Sequence, residues 1–216
     1  MANLPDKLNT ALNELLVELT AIEDTDVRID ALNEIRQALH WLSPMKTEPV
    51  DCVLWVKADD VQANDYNPNV VAAPEMKLLR HSIETDGYTQ PIVTFPLEDG
   101  KREVIDGFHR NRVGKEVKSV RARLYGRLPV TTINGDRTGR DNRIASTIRH
   151  NRARGVHQVD NMSEIVVELS RRNWDDAKIG RELGMEPDEV LRLKQISGLA
   201  ELFNDEDFSE AWEITS

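Results

Sequence analysis

Cysteine is nearly absent from this chain of 216 residues, and its single cysteine, Cys52, excludes an intrachain disulfide and a cluster of cysteine ligands. Aromatic residues make up only 5% of the sequence and hydrophobic residues only 39%. No apolar run approaches the length needed to span a membrane, and the N-terminus carries no signal-peptide pattern. We therefore expect a cytoplasmic protein with no membrane partner.

Charged residues are abundant and unevenly distributed. The net charge is −10, yet residues 101–154 carry 15 Lys and Arg against 5 Asp and Glu, a balance of +10. The remainder carries 13 basic and 33 acidic residues, a balance of −20. A basic segment inside an acidic chain favours a site for a polyanion. The alternative is that these arginines pair with acidic neighbours.

Apolar periodicity predicts the main elements of the chain. Residues 4–42 carry two helical stripes and predict a helical hairpin, which packs on the following domain or docks a partner or a second copy. Strands are predicted at 50–56, 91–96, 103–105 and 119–125. Helices are predicted at 74–85, 136–151 and 158–171. Residues 174–196 predict a pair resembling a helix–turn–helix.

These elements predict an α+β fold with a small mixed sheet, preceded by a helical hairpin and followed by an all-helical region. The predicted domains are a hairpin at 1–46, a sheet domain at 47–130, a helical domain at 131–200 and an acidic tail at 201–216. The tail either docks back, binds a partner or remains partly unfolded, and the sequence does not choose.

The stretch 104–115, VIDGFHRNRVGK, combines a strand end, a glycine turn and the start of a basic helix. Gly107 allows close approach of the backbone, and the first N–H groups of a helix have no internal partner. The helix dipole and the cations of Arg110, Arg112 and Lys115 add positive potential. This geometry is typical of phosphate sites. The alternative is an ordinary strand–turn–helix with surface arginines.

The segment DGFHR at 106–110 resembles the nucleotide-binding motif of the ParB/sulfiredoxin superfamily. Upstream, DYNP at 65–68 and LRHSIETDGYTQPIV at 79–93 resemble the first box of that family. Three ordered elements at family-like spacing are more specific than any one of them. The resemblance covers about residues 50–200 and is greatest to ParB-like regulators similar to IbrB.

This resemblance implies a nucleoside triphosphate cofactor, ATP or CTP, bound with Mg²⁺. Gly107, His109 and Arg110 would contact the phosphates, with Arg112 and Lys115 in support.

A third box of the family is matched in part by residues 149–154. Asn151 and Arg152 are implied to bind the triphosphate, with Mg²⁺ near Asn151. His150 replaces the acidic residue of that box, and because histidine is a poor ligand for a hard cation, metal-assisted hydrolysis is disfavoured. The alternative is a solvated basic helix end.

The catalytic candidates are weaker. A sulfiredoxin needs a thiolate immediately before its His-Arg pair, where this chain has Phe108, so we expect no sulfiredoxin activity. Some members of the superfamily are small-molecule kinases that use a carboxylate base, for which Glu75, Asp65 and Asp106 are candidates. Each is otherwise a capping or surface residue, and Asp106 could approach phosphates only through a bridging Mg²⁺.

Two segments are candidates for DNA binding. The second helix of the helix–turn–helix begins with Glu186, Asp188 and Glu189, whose carboxylates repel phosphates, so its own contribution should be weak. Packing or partner docking is the competing role for this helix. The candidate DNA-binding residues are Arg137, Arg140, Arg143, Arg192 and Lys194.

We therefore expect a nucleotide-responsive regulator that acts on DNA or transcription. The resemblance to IbrB implies a partner similar to phosphoadenosine-phosphosulfate reductases, and a homodimer is a further option. The alternative is an enzyme, either an ATP-dependent phosphotransferase or a slow NTPase, in a nucleic-acid modification or phage-defence module. A ParB-like nuclease is less favoured, because the sequence lacks the dense carboxylate or histidine cluster of two-metal cleavage.

Overall fold

The computed structural model describes residues 4–64, 73–133, 139–152 and 159–203. These residues form two compact units, one with the described residues up to 133 and one with those from 139 onward. The fold class is α+β, as predicted. Within these residues, no helix combines the length and apolarity that crossing a membrane requires.

The described part of the first unit contains five α-helices, two short 3-10 helices (Pro49–Asp51 and Ala58–Asp60) and a five-stranded sheet. The helices are α1 (Asp6–Ala21), α2 (Thr25–Leu42), α3 (Ala73–Asp86), α4 (Phe108–Glu116) and α5 (Lys118–Arg123). The strands are β1 (Leu54–Lys57), β2 (Val61–Gln62), β3 (Ile92–Pro96), β4 (Arg102–Asp106) and β5 (Arg127–Thr132). The strand order is β1-β5-β3-β4-β2. The β1–β5 and β3–β4 pairs are antiparallel and the β2–β4 and β3–β5 pairs are parallel, which confirms the mixed sheet.

Two apolar clusters stabilise this unit. The larger one lies on the sheet and is made of Ala58, Val61, Ile92, Val104, Leu128 and Val130. Phe108 from α4 and Tyr88 pack against it. The smaller cluster joins α3, α4 and α5 through Ile83, Val113 and Val120. The two clusters therefore hold the beginning of α4 at the end of β4.

Polar contacts attach α2 to the sheet. The Arg127 side chain is only 3% exposed and forms ion pairs with Asp26 at 2.8 Å and Asp30 at 2.5 Å. The hydrogen bond to Asp30 raises the pKa of Arg127, and the same bond lowers the pKa of Asp30. Asn33 exchanges two hydrogen bonds with the Trp55 backbone, at 2.7 and 3.0 Å. A buried arginine and an amide thus fix the position of α2 on β1 and β5.

The strand predicted at 119–125 is wrong, because residues 118–123 form α5. Alternation at Val120, Ala122 and Leu124 suggested a strand. However, Val117, Val120 and Leu124 also share one face of a helix, and that face packs on the cluster around Ile83. The strand follows as β5. In addition, β1 begins four residues later than predicted, and the short β2 lies where a loop was expected.

The second unit is helical, with α6 (Arg140–Arg152), α7 (Val159–Arg171), α8 (Asp176–Leu183) and α9 (Pro187–Phe203). Asp175 caps α8 by accepting from the Lys178 N–H at 2.7 Å, and α8 ends at Gly184 in the left-handed conformation. Its core includes Ile148, Leu169, Ile179, Leu183 and Val190. The pair α8 and α9, separated by a glycine turn, is the predicted helix–turn–helix.

The turn from α5 to β5 contains a strained residue. Tyr125 has φ +53° and is followed by Gly126 with φ +68°. The Gly126 N–H donates to the Arg121 carbonyl at 2.9 Å, which is the bond pattern of a left-handed helix end. A left-handed conformation costs an L-residue about 1–2 kcal/mol. Because Tyr125 is 66% exposed, burial of its side chain offsets little of this conformational cost.

Replacing Tyr125 by glycine should therefore make the protein more stable than replacing it by alanine, by about 1 kcal/mol. This is the reverse of the order inside a helix, because only glycine relieves the strain at this φ. Urea denaturation of Tyr125→Gly and Tyr125→Ala measures the difference. Ala122→Gly within α5 is the control and should lose about 1 kcal/mol. A more stable alanine variant at 125 would contradict the assigned strain.

Candidate functional site at the Gly107 turn

Gly107 connects β4 to α4 in the left-handed conformation, with φ +92° and ψ 25°. It is the N-cap of α4 and offers no side-chain cap. The first helical bond runs from the Asn111 N–H to the Gly107 carbonyl at 2.8 Å, and the N–H groups of Phe108 and His109 bond to no described residue. The start of α4 therefore has available donors and positive helix-dipole potential.

The guanidinium of Arg110 lies over this turn. It donates to the Gln90 side-chain oxygen at 3.1 Å and to the Pro91 carbonyl at 3.3 Å, and it pairs with Asp106 at 3.3 Å. A Cβ placed on Gly107 would be 3.0 Å from a terminal nitrogen of Arg110. The φ of residue 107 thus favours glycine, and a Cβ there would also displace the Arg110 guanidinium by a few tenths of an ångström.

Tyr88 supports α4 from the opposite side. Its hydroxyl donates to the Arg110 carbonyl at 2.6 Å, and burial raises the pKa of Tyr88 to about 12, so that it stays protonated. A Cβ on Gly114 would lie 2.4 Å from the Tyr88 hydroxyl, so Gly114 makes room for this contact. Sequence reasoning assigned no role to Tyr88 or Gln90, although both lie within the 79–93 stretch.

His109 is half-buried at the first turn of α4, and its ring meets Phe108 edge to face with centroids 5.4 Å apart. Burial, and then the positive charge of Arg112, lowers the pKa of His109 below its ordinary value. The imidazole is therefore mostly neutral at neutral pH, and an approaching anion would favour its protonated form.

Asn111 carries a buried acceptor that sequence reasoning did not single out. The residue is 4% exposed, and its side-chain oxygen has no hydrogen-bond partner in the described part of the chain. A buried polar atom without a partner costs about 1–3 kcal/mol. The Asn111 oxygen lies one turn into α4 and is shielded from solvent.

Arg112 and Lys115 do not lie at the turn. Arg112 contacts both carboxylate oxygens of Glu116, at 2.9 and 3.0 Å, and lines a groove of about 430 Å³ with residues of α3. Lys115 donates to the Val61 carbonyl, and burial lowers its pKa. Their support of a phosphate stays a prediction.

The remaining predicted residues are dispersed. Glu75 is exposed in the first turn of α3, and Asp106 is buried against Arg110. Asp65 lies outside the described residues, as do the side chains of Asn151 and Arg152 in the last turn of α6. Where the structure describes the chain, no three His, Cys, Asp or Glu side chains form a group that could hold a metal ion.

Two of the five candidate DNA-binding cations form ion pairs within the second unit. Arg140 pairs with Glu168 at 3.4 Å, and Lys194 pairs with Asp176. Arg149, in the same basic segment, pairs with Glu182 at 2.5 Å. Arg143 is half-buried, Arg192 is exposed, and Arg137 lies outside the described residues. The positive charge of the basic segment is thus partly neutralised by local acidic neighbours.

Comparison with known proteins agrees with this architecture. Residues 44–127 match the ParB N-terminal domain, and residues 157–205 match the IbrB-like C-terminal HTH domain.

Two solved structures are similar at low sequence identity. One is Caulobacter crescentus ParB complexed to the centromeric parS site, at 16% identity, a TM-score of 0.45 and coverage of 69% of this chain and 75% of that one. The other is a Pnob8-like ParB-N domain, at 11% identity, a TM-score of 0.46 and coverage of 71% and 73%.

The class of protein is therefore that of the ParB-like proteins in which a ParB N-terminal domain precedes a helix–turn–helix domain. Within this class, the chain belongs to the family of the uncharacterized protein YbdM of Escherichia coli K12. The two are 56% identical over 209 residues, which cover 97% of this chain and 99% of YbdM.

Gly107→Ala should destabilise the protein by about 1–3 kcal/mol, because alanine is strained at this φ and its Cβ meets the Arg110 guanidinium. Chemical denaturation measures the loss. The same substitution in an Arg110→Ala background should cost less, because only the backbone strain remains. Equal losses in both backgrounds would contradict the contact between Gly107 and Arg110.

Proposed function

We propose that this chain is a nucleotide-responsive regulator in which the Gly107 turn binds the phosphates of a nucleoside triphosphate. The observation that carries the proposal is the turn itself, where a left-handed glycine opens α4 and the Arg110 cation lies against it. Free helical N–H groups, a helix dipole and a guanidinium together are suited to a phosphate group.

The neighbours of Arg110 support this role. Asp106, Gln90 and the Pro91 carbonyl hold the guanidinium in a fixed place before any ligand arrives. A charge that is already oriented loses less entropy on binding. Asn151 and Arg152 would complete the triphosphate site with Mg²⁺, an assignment that depends on the family resemblance alone.

Nucleotide occupancy would set how the helix–turn–helix meets DNA. Arg192 is exposed on α9, whereas Glu186 and Asp188 at the beginning of that helix are exposed acids that weaken attraction to phosphates. We expect low affinity from this helix alone, with a second contact surface needed for selectivity. A role in transcription, and a partner resembling phosphoadenosine-phosphosulfate reductases, follow from the resemblance to IbrB-type regulators.

Isothermal titration with ATP, CTP, GTP and UTP, with and without Mg²⁺, tests the proposal. We expect saturable binding of one nucleotide, weakened at least about tenfold by Arg110→Ala, because a charge-assisted contact contributes about 1.5–3 kcal/mol. Arg80→Ala is the matched control: Arg80 pairs with Glu84 on exposed α3, at the same i,i+4 spacing as Arg110 and Asp106. The nucleotide affinity of Arg80→Ala should equal that of the wild type.

Failure of all four nucleotides to bind the wild-type chain would overturn the proposed function. An assay of phosphate and ADP release on the same samples separates the regulator from the enzyme. Release that depends on a second metabolite would favour the phosphotransferase, whereas salt-sensitive, sequence-selective DNA binding without it would favour the regulator.

Nucleotide affinity should also increase as the pH falls from about 8 to about 6. The free protein holds the pKa of His109 below 6.5, and a bound phosphate would raise it. At a pH between the pKa of His109 in the free protein and its pKa in the complex, binding takes up a proton. The affinity then changes by about tenfold for each pH unit within that range. His109→Gln is the control, and it should retain only the titration of the phosphate itself. Identical pH profiles would exclude contact between His109 and the phosphates.

A further inference from the structure

In the described part of the chain, helix α1 has an apolar face that stays largely exposed. It spans Asp6–Ala21, and none of its residues is buried. Large apolar side chains in this part of the chain are exposed by 38% to 67%: Leu4, Leu8, Leu12, Leu15, Leu16 and Val17. A helix of this length is marginal in water by itself, because most helical stability comes from burying one face. The leucine face of α1 therefore requires a partner.

The helix is also weakly attached to its own unit. Arg28 of α2 donates to the Ile22 carbonyl at 2.9 Å, at the turn between the two helices. The hydroxyls of Thr10 and Thr20 bond back to α1 itself. In the portion of the chain that the structure describes, no α1 side chain forms a hydrogen bond or ion pair with another element. Unlike α2, α1 thus keeps most of its surface available.

The spacing of the leucines identifies the shape of the partner. Leu8, Leu12, Leu15 and Leu19 follow one another at intervals of four, three and four residues, which is the a/d pattern of a helix that packs along another helix. Leu16 lies beside this row and widens it toward the face of a helical bundle. Val17 lies on the opposite side. The expected partner is a helix with a matching apolar row.

We propose that α1 pairs with α1 of a second copy of this chain, in antiparallel orientation about a two-fold axis. The leucine row is self-complementary, because placing Leu12 opposite Leu15 of the second copy also places Leu8 opposite Leu19 of the second copy. A two-fold contact of this kind closes after two copies and leaves no free end for further growth.

Charge favours the antiparallel arrangement. Lys7 is the single basic residue of α1, which also carries Asp6, Glu14 and Glu18. An antiparallel pair brings Lys7 within one turn of Glu18 of the second copy and opposes the two helix dipoles. A parallel pair would place Lys7 level with Lys7 of the second copy, far from Glu18, and would align the two dipoles. The same acidic surplus disfavours DNA or an anionic membrane surface as the occupant.

The available area fits a weak, reversible dimer. The exposed fractions of Leu4, Leu8, Leu12, Leu15 and Leu16 correspond to roughly 450 Å², the size of the largest apolar patch of an ordinary monomer. Two such faces bury roughly 900 Å² in total, which is the size of a weak, transient interface. Exposed residues at the end of α2, Trp41 and Leu42, could extend it.

Sedimentation velocity of the full chain over a roughly hundredfold range of concentration tests the proposal. We expect a monomer–dimer equilibrium for the wild type and a monomer for Leu12→Glu. Leu12 and Val17 are both exposed in one copy, so each variant should fold normally, with the circular dichroism spectrum of the wild type. Val17→Glu is the matched control on the opposite side of α1 and should dimerise like the wild type.

A wild-type chain that stays monomeric, or equal loss of the dimer in Leu12→Glu and Val17→Glu, would overturn the proposal. The dimer should form without nucleotide and persist in Arg110→Ala, so its failure is distinguishable from failure of the nucleotide site.

Spin labels on single cysteines in a Cys52→Ser background test the orientation. Labels at Asp6→Cys should be separated by about 20 Å along the helix axis in the antiparallel dimer, and labels at Asn13→Cys should be adjacent. Adjacent labels at both positions would indicate a parallel pair and contradict this assignment.

Discussion

The left-handed glycine at position 107, with the guanidinium of Arg110 lying against it, is the constraint on which the candidate site depends. A Cβ at this position would meet Arg110, and the backbone φ would be strained. The turn allows β4 to end and α4 to begin within one residue. It also leaves the first N–H groups of α4 available. The available donors and the cation are thus consequences of one backbone conformation.

The packing behind the turn keeps that conformation in place. Phe108 joins the sheet cluster, Val113 joins the cluster with α3 and α5, and Tyr88 bonds to the carbonyl of Arg110. A cation that binds a ligand must be held in position by its neighbours, but these neighbours must not neutralise its charge completely. Asp106 and Gln90 orient Arg110 while its side chain keeps 16% of its surface exposed.

Elsewhere, arginine in this protein is mainly structural. Arg127 is buried between Asp26 and Asp30 and attaches α2 to the sheet, while Arg140 and Arg149 pair with glutamates inside the helical unit. The segregation of charge along the chain is therefore partly cancelled in space. A charge count along the sequence overstates the positive charge available to a polyanion, because it leaves out acidic partners that are distant in the chain.

The sequence by itself determined the α+β class, the basic glycine turn, the ParB-like resemblance and the helix–turn–helix, because each depends on local spacing: a period of two or 3.6, or a glycine between two elements. It could not determine whether residues 119–125 form a strand or a helix, since both periods fit, and packing on Ile83 decided for α5. Only the tertiary structure placed Gln90 and Tyr88 at Arg110 and directed Lys115 to Val61. It also left every residue of α1 unburied among the described residues. These outcomes depend on contacts between residues far apart in the chain, which local patterns of amino acids do not encode.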